Sequence, residues 1–320
     1  MHYSHLAHLS KPVSRLIQGT VMINDEGMSE EAAFNLLDSI HALGCNTFDT
    51  AHVYANGENE ARFGRWLASR GNRNQVVIVG KGAHHNGWRK RVTPYDISSD
   101  LHDSLARFQI NHIDIYLLHR DDPSQKVDGI VDVLNKHADE GKIGIFGGSN
   151  WSHDRIEAAN SYAARNGLRP FSISSPNFSL AEQFKEPWSG CISISGNKGK
   201  EARSYYRAKN TPLFTWSSLA GGFFSGRFRR DNLESFTSYL DKLCVHSYCY
   251  EENFERLDKA EALAKEKGLS LPQLALAYVM NYSLNIFALV GCQTPQEFEA
   301  NVKASTVKLS DEEMAKLSLS

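Results

Sequence analysis

Short apolar runs alternate with longer amphipathic segments along most of the chain. The runs have the length of β-strands, and the run at 75–81 is apolar almost throughout, as in strands buried on both faces. The longer segments have helical periodicity and begin at good N-cap residues such as Ser29, Ser152 and Ser270. This alternation predicts a parallel sheet. The eight predicted strands cover residues 14–20, 45–49, 75–81, 112–119, 142–150, 170–175, 211–218 and 285–291.

Eight strand–helix units in about 300 residues fit a closed (β/α)8 barrel. The competing architecture is a doubly wound open sheet, which would place a G-x-G-x-x-G turn after the first strand. The segment there reads GTVMINDEG, and the motif occurs nowhere in the chain. We therefore predict an α/β fold of the TIM-barrel type, with residues 1–320 as a single domain. Two long connections, 176–210 and 219–252, follow the sixth and seventh strands and should lie on the catalytic face.

Charge and cysteine content narrow the class of protein. The formal net charge is −2, from 35 basic and 37 acidic residues, and no long basic run occurs. This balance argues against nucleic acid or an anionic membrane as the main partner. The chain has neither an apolar signal segment at its start nor a run of the ~18 apolar residues that a membrane span needs. An odd number of cysteines without metal-ligand spacing favours free thiols in the cytoplasm. They are Cys45, Cys191, Cys244, Cys249 and Cys292.

Candidate chemistry lies at the ends of three successive predicted strands. Asp49 ends the second strand and Tyr54 follows in the next loop, while Lys81 ends the third strand and His119 the fourth. One such residue alone is more often a capping or surface residue. Four of them at the catalytic end of adjacent strands predict an active site.

These four residue types suit proton transfer to a carbonyl oxygen. A free tyrosine has a pKa of about 10, and a neighbouring ammonium lowers it. Asp49 could hold Lys81 near Tyr54, and His119 could orient the carbonyl by a hydrogen bond. None of the four supplies a hydride, so the arrangement predicts a nicotinamide cofactor.

The motifs around these residues resemble the aldo-keto reductase family. The segment FDTAHVYANGENE is similar to the family's FDTA-x-x-Y segment, and VIVGK, YLLHRDDP, GKIGIFGGSN and LVGCQTPQEFEANV are similar to its later signatures. The resemblance runs in order from Gly19 to Asn301. It implies a barrel that uses NAD(P)(H) without a Rossmann domain, with the four residues named above as the catalytic tetrad. YLLHRDDP and SSLAGGFFSGRF resemble the bacterial branches related to channel β-subunits more than the vertebrate aldose reductases.

The resemblance also implies the residues that bind the cofactor. Ser149 and Asn150 would hold the nicotinamide carboxamide. Ser175 and Phe178 stand where the family usually has Gln-x-x-Tyr, so the hydrogen-bonding group is shorter, and Phe178 would offer the ring a platform. The stretch from Trp216 to Leu219 replaces the family's Tyr-x-Pro-Leu. The implied contacts are Gly19, Thr20, Asp49, Ser149, Asn150, Ser175, Phe178, Trp216, Ser217, Leu219, Gly291, Cys292, Gln293, Glu297 and Asn301.

The choice between NADP(H) and NAD(H) depends on the stretch 291–301. The family commonly places a basic residue there for the adenosine 2′-phosphate, but this stretch contains no Lys or Arg. Glu297 would repel a phosphate if it pointed inward, although it could instead complete a capping box with Thr294. The helix N-terminus itself favours an anion. The resemblance implies NADP(H) as the default, and NAD(H) stays open.

Three residues are candidates for a substrate pocket. His84 and Trp88 lie in the loop after Lys81, and Trp151 follows Asn150. Aromatic faces beside imidazole and hydroxyl groups suit a sugar or polyol, whereas the alternative is that these rings only pack the rim of the barrel. No metal is expected, because the pair at 84–85 lacks a carboxylate or cysteine at ligand spacing.

The sequence therefore predicts an NAD(P)(H)-dependent oxidoreductase that interconverts a small aldehyde or ketone and its alcohol. An alternative from a different class is a cofactor-binding regulatory subunit with slow turnover, as in the channel-associated branch. A pseudo-enzyme is disfavoured by the intact tetrad. The oligomeric state is left open.

Overall fold

The computed structural model describes residues 1–24 and 27–318. A short antiparallel pair, β1 (Tyr3–Ser4) and β2 (Val13–Ser14), comes first. Eight further strands follow in the order of a closed parallel barrel, β10-β3-β4-β5-β6-β7-β8-β9. This confirms the predicted (β/α)8 fold. The strands are β3 (Leu16–Gly19), β4 (Thr47–Asp49), β5 (Val77–Gly82), β6 (Ile113–Leu118), β7 (Ile143–Ser149), β8 (Ile173–Ser175), β9 (Leu213–Thr215) and β10 (Ile286–Val290).

Helices separate the strands as the hydrophobic pattern predicted. The side chains of Ser29, Ser152 and Ser270 cap three of them, and Ser270 forms the full capping box with Gln273. The helices are α1 (Glu30–Ala42), α2 (Glu58–Arg70), α3 (Pro94–Phe108), α4 (Val127–Asp139), α5 (His153–Asn166), α6 (Lys200–Lys209), α7 (Tyr239–Tyr248), α8 (Glu251–Lys267), α9 (Leu271–Asn281), α10 (Pro295–Ala304) and α11 (Asp311–Ser318).

The chain divides into two compact units. The first comprises residues 1–175 and 291–295, and the second comprises 176–290 and 296–320. The prediction of a single domain therefore stays a prediction. No helix in the described ranges has the length and apolar character required to cross a membrane.

Strand register in the first unit brings the predicted catalytic strand ends to one edge. Gly19 pairs with Asp49, which pairs with Val79, and Lys81 pairs with Leu117. Because these strands are parallel, their carboxyl ends point the same way and their last residues become neighbours.

Helix α2 is anchored to β4 by an aromatic cluster. Phe48 of the strand packs against Phe63 and Trp66, with ring centroids 5.5 and 5.4 Å away. All three side chains are fully buried. Gly64 on the same helix lets it approach the backbone of Phe108, where an added Cβ would lie 2.7 Å from that backbone. The start of α2, and with it the preceding loop, is thereby held in place.

The long connections of the second unit contain more structure than the sequence indicated. The first includes α6, and the second includes a 3-10 turn, Ala220–Ser225, and α7. Asn253 on α8 is fully buried and holds the first connection in place. Its Oδ1 accepts from the Glu182 backbone N–H at 2.9 Å, and its Nδ2 donates to the Glu182 carbonyl at 2.8 Å.

Candidate active site

Asp49 and Lys81 form a buried ion pair. The Lys81 ammonium donates to Asp49 Oδ2 at 2.6 Å and to the carbonyl oxygen of Thr50 at 2.7 Å. Both side chains are about 95% buried, with exposed fractions of 6% for Asp49 and 5% for Lys81. Burial lowers the pKa of Lys81, but Asp49 and Tyr54 outweigh it and raise the pKa above its usual value. Lys81 is therefore held in its charged form.

Tyr54 lies beside this ion pair. The Lys81 ammonium is 5.3 Å from the centroid of the Tyr54 ring, and the ring meets that of His119 edge-to-face at 5.7 Å. The half-buried phenol thus has both a cation and an imidazole as neighbours. The structure brings together all four residues that the sequence singled out.

Two opposing effects act on the Tyr54 phenol. Burial raises its pKa, and the Lys81 ammonium lowers it, as the sequence predicted for Lys81. The effect of burial is the larger of the two, so the pKa of Tyr54 lies above its usual value of 10.0. The phenol is therefore protonated at neutral pH and can serve as a proton donor.

His119 is buried in its neutral form. Burial, together with the charge of Lys81, holds the pKa of His119 well below its usual 6.5. Its Nδ1 is buried and has no partner among the residues that the structure describes. A neutral imidazole can donate one hydrogen bond to a carbonyl oxygen without competing with Tyr54 as an acid.

Asn59 supports the end of β4, and sequence reasoning missed it. Its Oδ1 accepts from the hydroxyls of Thr20 and Thr50 at 2.7 and 2.8 Å, and its Nδ2 donates to the Thr20 carbonyl at 2.7 Å. Asn59 is fully buried at the start of α2. These bonds link Thr20, which follows β3, to Thr50, which follows Asp49. The polar run GENE just after Tyr54 was the available signal.

The turn that carries Tyr54 has a constrained backbone. Ala55 and Asn56 have positive φ angles of 47° and 52°, and Gly57 follows at 95°. A Cβ on Gly57 would overlap the guanidinium of Arg107, which also donates to the His52 carbonyl at 3.0 Å. Arg107 on α3 thus packs against the turn. No local sequence motif indicated this contact.

Ser149, Asn150 and Ser175 form a polar cluster at the ends of β7 and β8. Ser149 Oγ and the Asn150 backbone N–H both donate to the Ser175 carbonyl, at 3.1 and 3.2 Å. The Asn150 amide donates to the His119 carbonyl at 3.3 Å, which places this cluster next to the tetrad. Hydroxyl and amide groups can pair with both the N–H and the C=O of a carboxamide, so the donor set fits the predicted nicotinamide contact.

The remaining cofactor candidates of the first unit lie on two segments. Gly19 ends β3 and Thr20 follows it, bonded to the Asp49 carbonyl through both N–H and hydroxyl. The segment from Gly291 to Gln293 follows β10, and the Cys292 carbonyl accepts from Gln18 at 3.1 Å. Their cofactor roles stay predictions.

In the second unit, Trp216 and Phe178 have different surroundings. Phe178 is only 2% exposed, and its ring packs on Tyr278 and Tyr282 with centroids 6.4 and 4.8 Å away. Half-buried Trp216 has an indole N–H with no partner among the described residues. Most of the Phe178 ring is therefore used in packing, whereas Trp216 retains an unused donor. The remaining candidates of this unit are Ser217, Leu219, Glu297 and Asn301.

The three predicted pocket residues differ sharply in exposure. Trp151 is fully buried, donates from its indole to the Arg120 carbonyl at 3.1 Å, and packs on Phe171 at 5.1 Å. The Trp151 ring therefore packs in the core beside β7, and its role in a substrate pocket stays a prediction. Half-buried His84 meets His119 edge-to-face at 4.8 Å, and Trp88 is 93% exposed.

Comparison with known proteins identifies the family. The Aldo/keto reductase family model matches residues 15–318. A putative aryl-alcohol dehydrogenase of Saccharomyces cerevisiae is 28% identical over 94% of this chain and 81% of its own length. A probable voltage-gated potassium channel subunit beta of Oryza sativa subsp. japonica is 26% identical over 96% of this chain and 92% of its own length. An NADP(+) aryl-alcohol dehydrogenase of Phanerodontia chrysosporium is 27% identical, over 90% and 75% respectively. The chain therefore belongs to the aldo/keto reductase family.

Proposed function

We propose that this protein is an NAD(P)(H)-dependent enzyme that interconverts an aldehyde or ketone and its alcohol, with Tyr54 as the general acid and base. One observation carries the proposal. The Lys81 ammonium, held 2.6 Å from Asp49, lies beside the Tyr54 ring, and a neutral His119 faces the same ring. The membership of the chain in a family of oxidoreductases supports it.

Each of the four side chains has its own role in carbonyl reduction. When bound, the nicotinamide supplies the hydride. Tyr54 donates its phenolic proton to the carbonyl oxygen, and the Lys81 ammonium stabilises the phenolate that remains. Asp49 keeps Lys81 charged and in position, and His119 orients the carbonyl by a hydrogen bond. In alcohol oxidation the phenolate takes the proton back.

We propose NADP(H) as the preferred cofactor, with Ser149 and Asn150 holding its carboxamide. The name of the Phanerodontia chrysosporium relative, which specifies NADP(+), supports this choice. NAD(H) is the competing cofactor, because residues 291–301 contain no Lys or Arg and include Glu297. The free cysteine thiols support a cytoplasmic location for the activity.

For the substrate, two classes of small carbonyl compound compete. The aromatic and imidazole groups of His84 and Trp88 in the loop after β5 suit a sugar-related compound. The names of two relatives instead point to aryl aldehydes and aryl alcohols. A panel of both classes, assayed with both cofactors in both directions, would distinguish the two. If only aryl aldehydes were reduced, the proposal of a sugar-related substrate would be wrong.

The second candidate function is a cofactor-binding subunit with slow turnover, which the rice relative favours. Both proposals require cofactor binding, and they differ in the turnover rate that they predict. An enzyme in the ordinary range turns over about 1–10³ times per second. Tight NADPH binding with turnover far below this range, across the whole panel, would support the regulatory role.

The test of the catalytic proposal is Tyr54→Phe, which removes the phenolic hydroxyl and keeps the ring. We expect kcat to fall about 10²-fold or more, because the general acid is lost. Tyr95→Phe, at an exposed position on α3, is the matched control and should retain full activity. NADPH binding should survive in both variants. A Tyr54→Phe enzyme as fast as the parent would show that another group donates the proton.

A further inference from the structure

The second unit contains a cavity that the proposed reaction does not use. Its volume is about 370 Å³, within the range of small-molecule sites. Its lining comes from α6, α8, α9, α11, the first long connection and Tyr282, which follows α9, and all lining residues belong to this unit. None of the four tetrad residues lines it.

One wall of the cavity is a basic face of α6. Lys200, Arg203, Ser204 and Arg207 all line the cavity, and their spacing of three and four residues places them on the same side of the helix. Arg256 on α8 adds a fourth cation that is only 7% exposed. The cavity therefore concentrates positive charge.

Carboxylates balance little of this charge. Glu182 lies 3.7 Å from Arg256. Among the residues that the structure describes, no carboxylate is within ion-pair distance of Lys200, Arg203 or Arg207. Arg203 and Arg207 instead donate to backbone carbonyls, of Gly196 at 2.7 Å and of Ser283 at 3.1 Å. A concave site with such an excess of positive charge attracts anions.

A second part of the lining is aromatic. Phe178, Tyr278 and Tyr282 line the cavity and pack on one another, with Tyr282 as the half-buried and most accessible ring. The Arg203 guanidinium lies 5.8 Å from the Tyr282 centroid. A flat ring could pack against Tyr282 while its charged group reaches the cations of α6.

We propose that this cavity binds a small organic anion that carries a flat ring, of the aryl phosphate class. The basic face of α6 holds the phosphate, and Tyr282 holds the ring. The site is separate from the cofactor prediction except for Phe178, which lines it.

The test uses the full chain saturated with NADPH, so that a nucleotide site cannot accept the probe. 1-Naphthyl phosphate is titrated by calorimetry, with 1-naphthol and inorganic phosphate as half-probes. We expect the complete probe to bind at least tenfold more tightly than either half. Lys200→Glu and Arg207→Glu, both at exposed positions, should each weaken it about tenfold or more, because a charge-assisted contact is replaced by repulsion.

Two controls make the outcome decisive. Lys198→Glu changes the same charge at an exposed neighbouring position outside the cavity lining, and should alter affinity less than twofold. Tyr282→Leu should weaken the naphthyl probe and leave inorganic phosphate unchanged. Absence of binding at about 10 mM probe, or equal losses in Lys198→Glu and Lys200→Glu, would each overturn the proposal.

Discussion

Burial and pairing decide which protonation state each tetrad residue holds. Lys81 stays charged because the Asp49 carboxylate lies 2.6 Å away. His119 stays neutral because it is buried near that same ammonium. Burial keeps the proton on Tyr54 despite the opposing effect of Lys81. The site therefore has one acid suited to protonate a carbonyl oxygen.

These states predict a simple pH dependence. Carbonyl reduction needs the protonated phenol, and the pKa of Tyr54 lies above 10.0. We expect kcat/KM for reduction to stay level from pH 6 to 8 and to fall only above about pH 10. Because the pKa of His119 lies well below 6.5, it should add no break near neutrality. A break between pH 6 and 7 that disappears in His119→Gln would contradict this assignment.

Breaking the ion pair should cost stability as well as activity. Lys81→Met leaves the Asp49 carboxylate buried without its cation, which typically costs about 3–5 kcal/mol. Chemical denaturation should show this loss, and adding Asp49→Asn to the same chain should recover most of it. Activity should be lost in the single and double variants alike. A Lys81→Met protein with parental stability would mean that the pair contributes little to folding.

Among the elements, three strand ends and one turn carry the tetrad. The strands β4, β5 and β6 place Asp49, Lys81 and the segment to His119 in register. The turn after β4 depends on contacts from two helices, through Asn59 on α2 and Arg107 on α3. Tyr54 is thus positioned by contacts distant in sequence.

The turn predicts a difference between two glycines of similar backbone geometry. Gly57→Ala and Gly71→Ala both place a Cβ at positive φ, at 95° and 60°. Each should lose about 1–2 kcal/mol in the free energy of unfolding. Only at Gly57 would the Cβ overlap Arg107, since Gly71 faces open space. We therefore expect kcat/KM to fall for Gly57→Ala alone, measured by steady-state kinetics beside denaturation. Equal kinetic effects would show that Arg107 does not set the turn.

For the whole molecule, cofactor binding should appear as added stability. NADPH at about 100 times its Kd should stabilise the chain by about 2.7 kcal/mol, and NADH at the same concentration by less. Thermal unfolding with each nucleotide measures the difference.

The same assay tests the role of helix α10 in cofactor choice. On the reading in which Glu297 points toward the adenosine 2′-phosphate, Glu297→Arg should raise the preference for NADPH over NADH about tenfold, because it replaces a repelling charge with a pairing one. Glu299→Arg, on the same helix and paired with Lys303 at 2.9 Å, is the control. An unchanged ratio in Glu297→Arg, or equal changes in both variants, would show that Glu297 faces away from the cofactor.

Local pattern was enough to predict the barrel and to select Asp49, Tyr54, Lys81 and His119 as residues that lie close together. Strand and helix periodicity and serine N-caps are properties of short segments, so the fold and positions such as Asp49 at a strand end could be read from them. Parallel strand order then brings strand-end residues together without further information. The observed strands are shorter than the predicted ones, because a strand ends where its hydrogen-bonded pairing ends and not where the apolar run ends.

Tertiary structure alone decided the environment of each side chain. Trp151 lies in the core and Trp88 in solvent, although both are tryptophans beside predicted site residues. The supports of the site, Asn59 and Arg107, act through contacts across 39 and 55 residues. The cavity beside α6 likewise joins segments far apart in the chain. Sequence determined which chemical groups stand at the strand ends, and packing determined their exposure and protonation, because both depend on neighbours that no local pattern specifies.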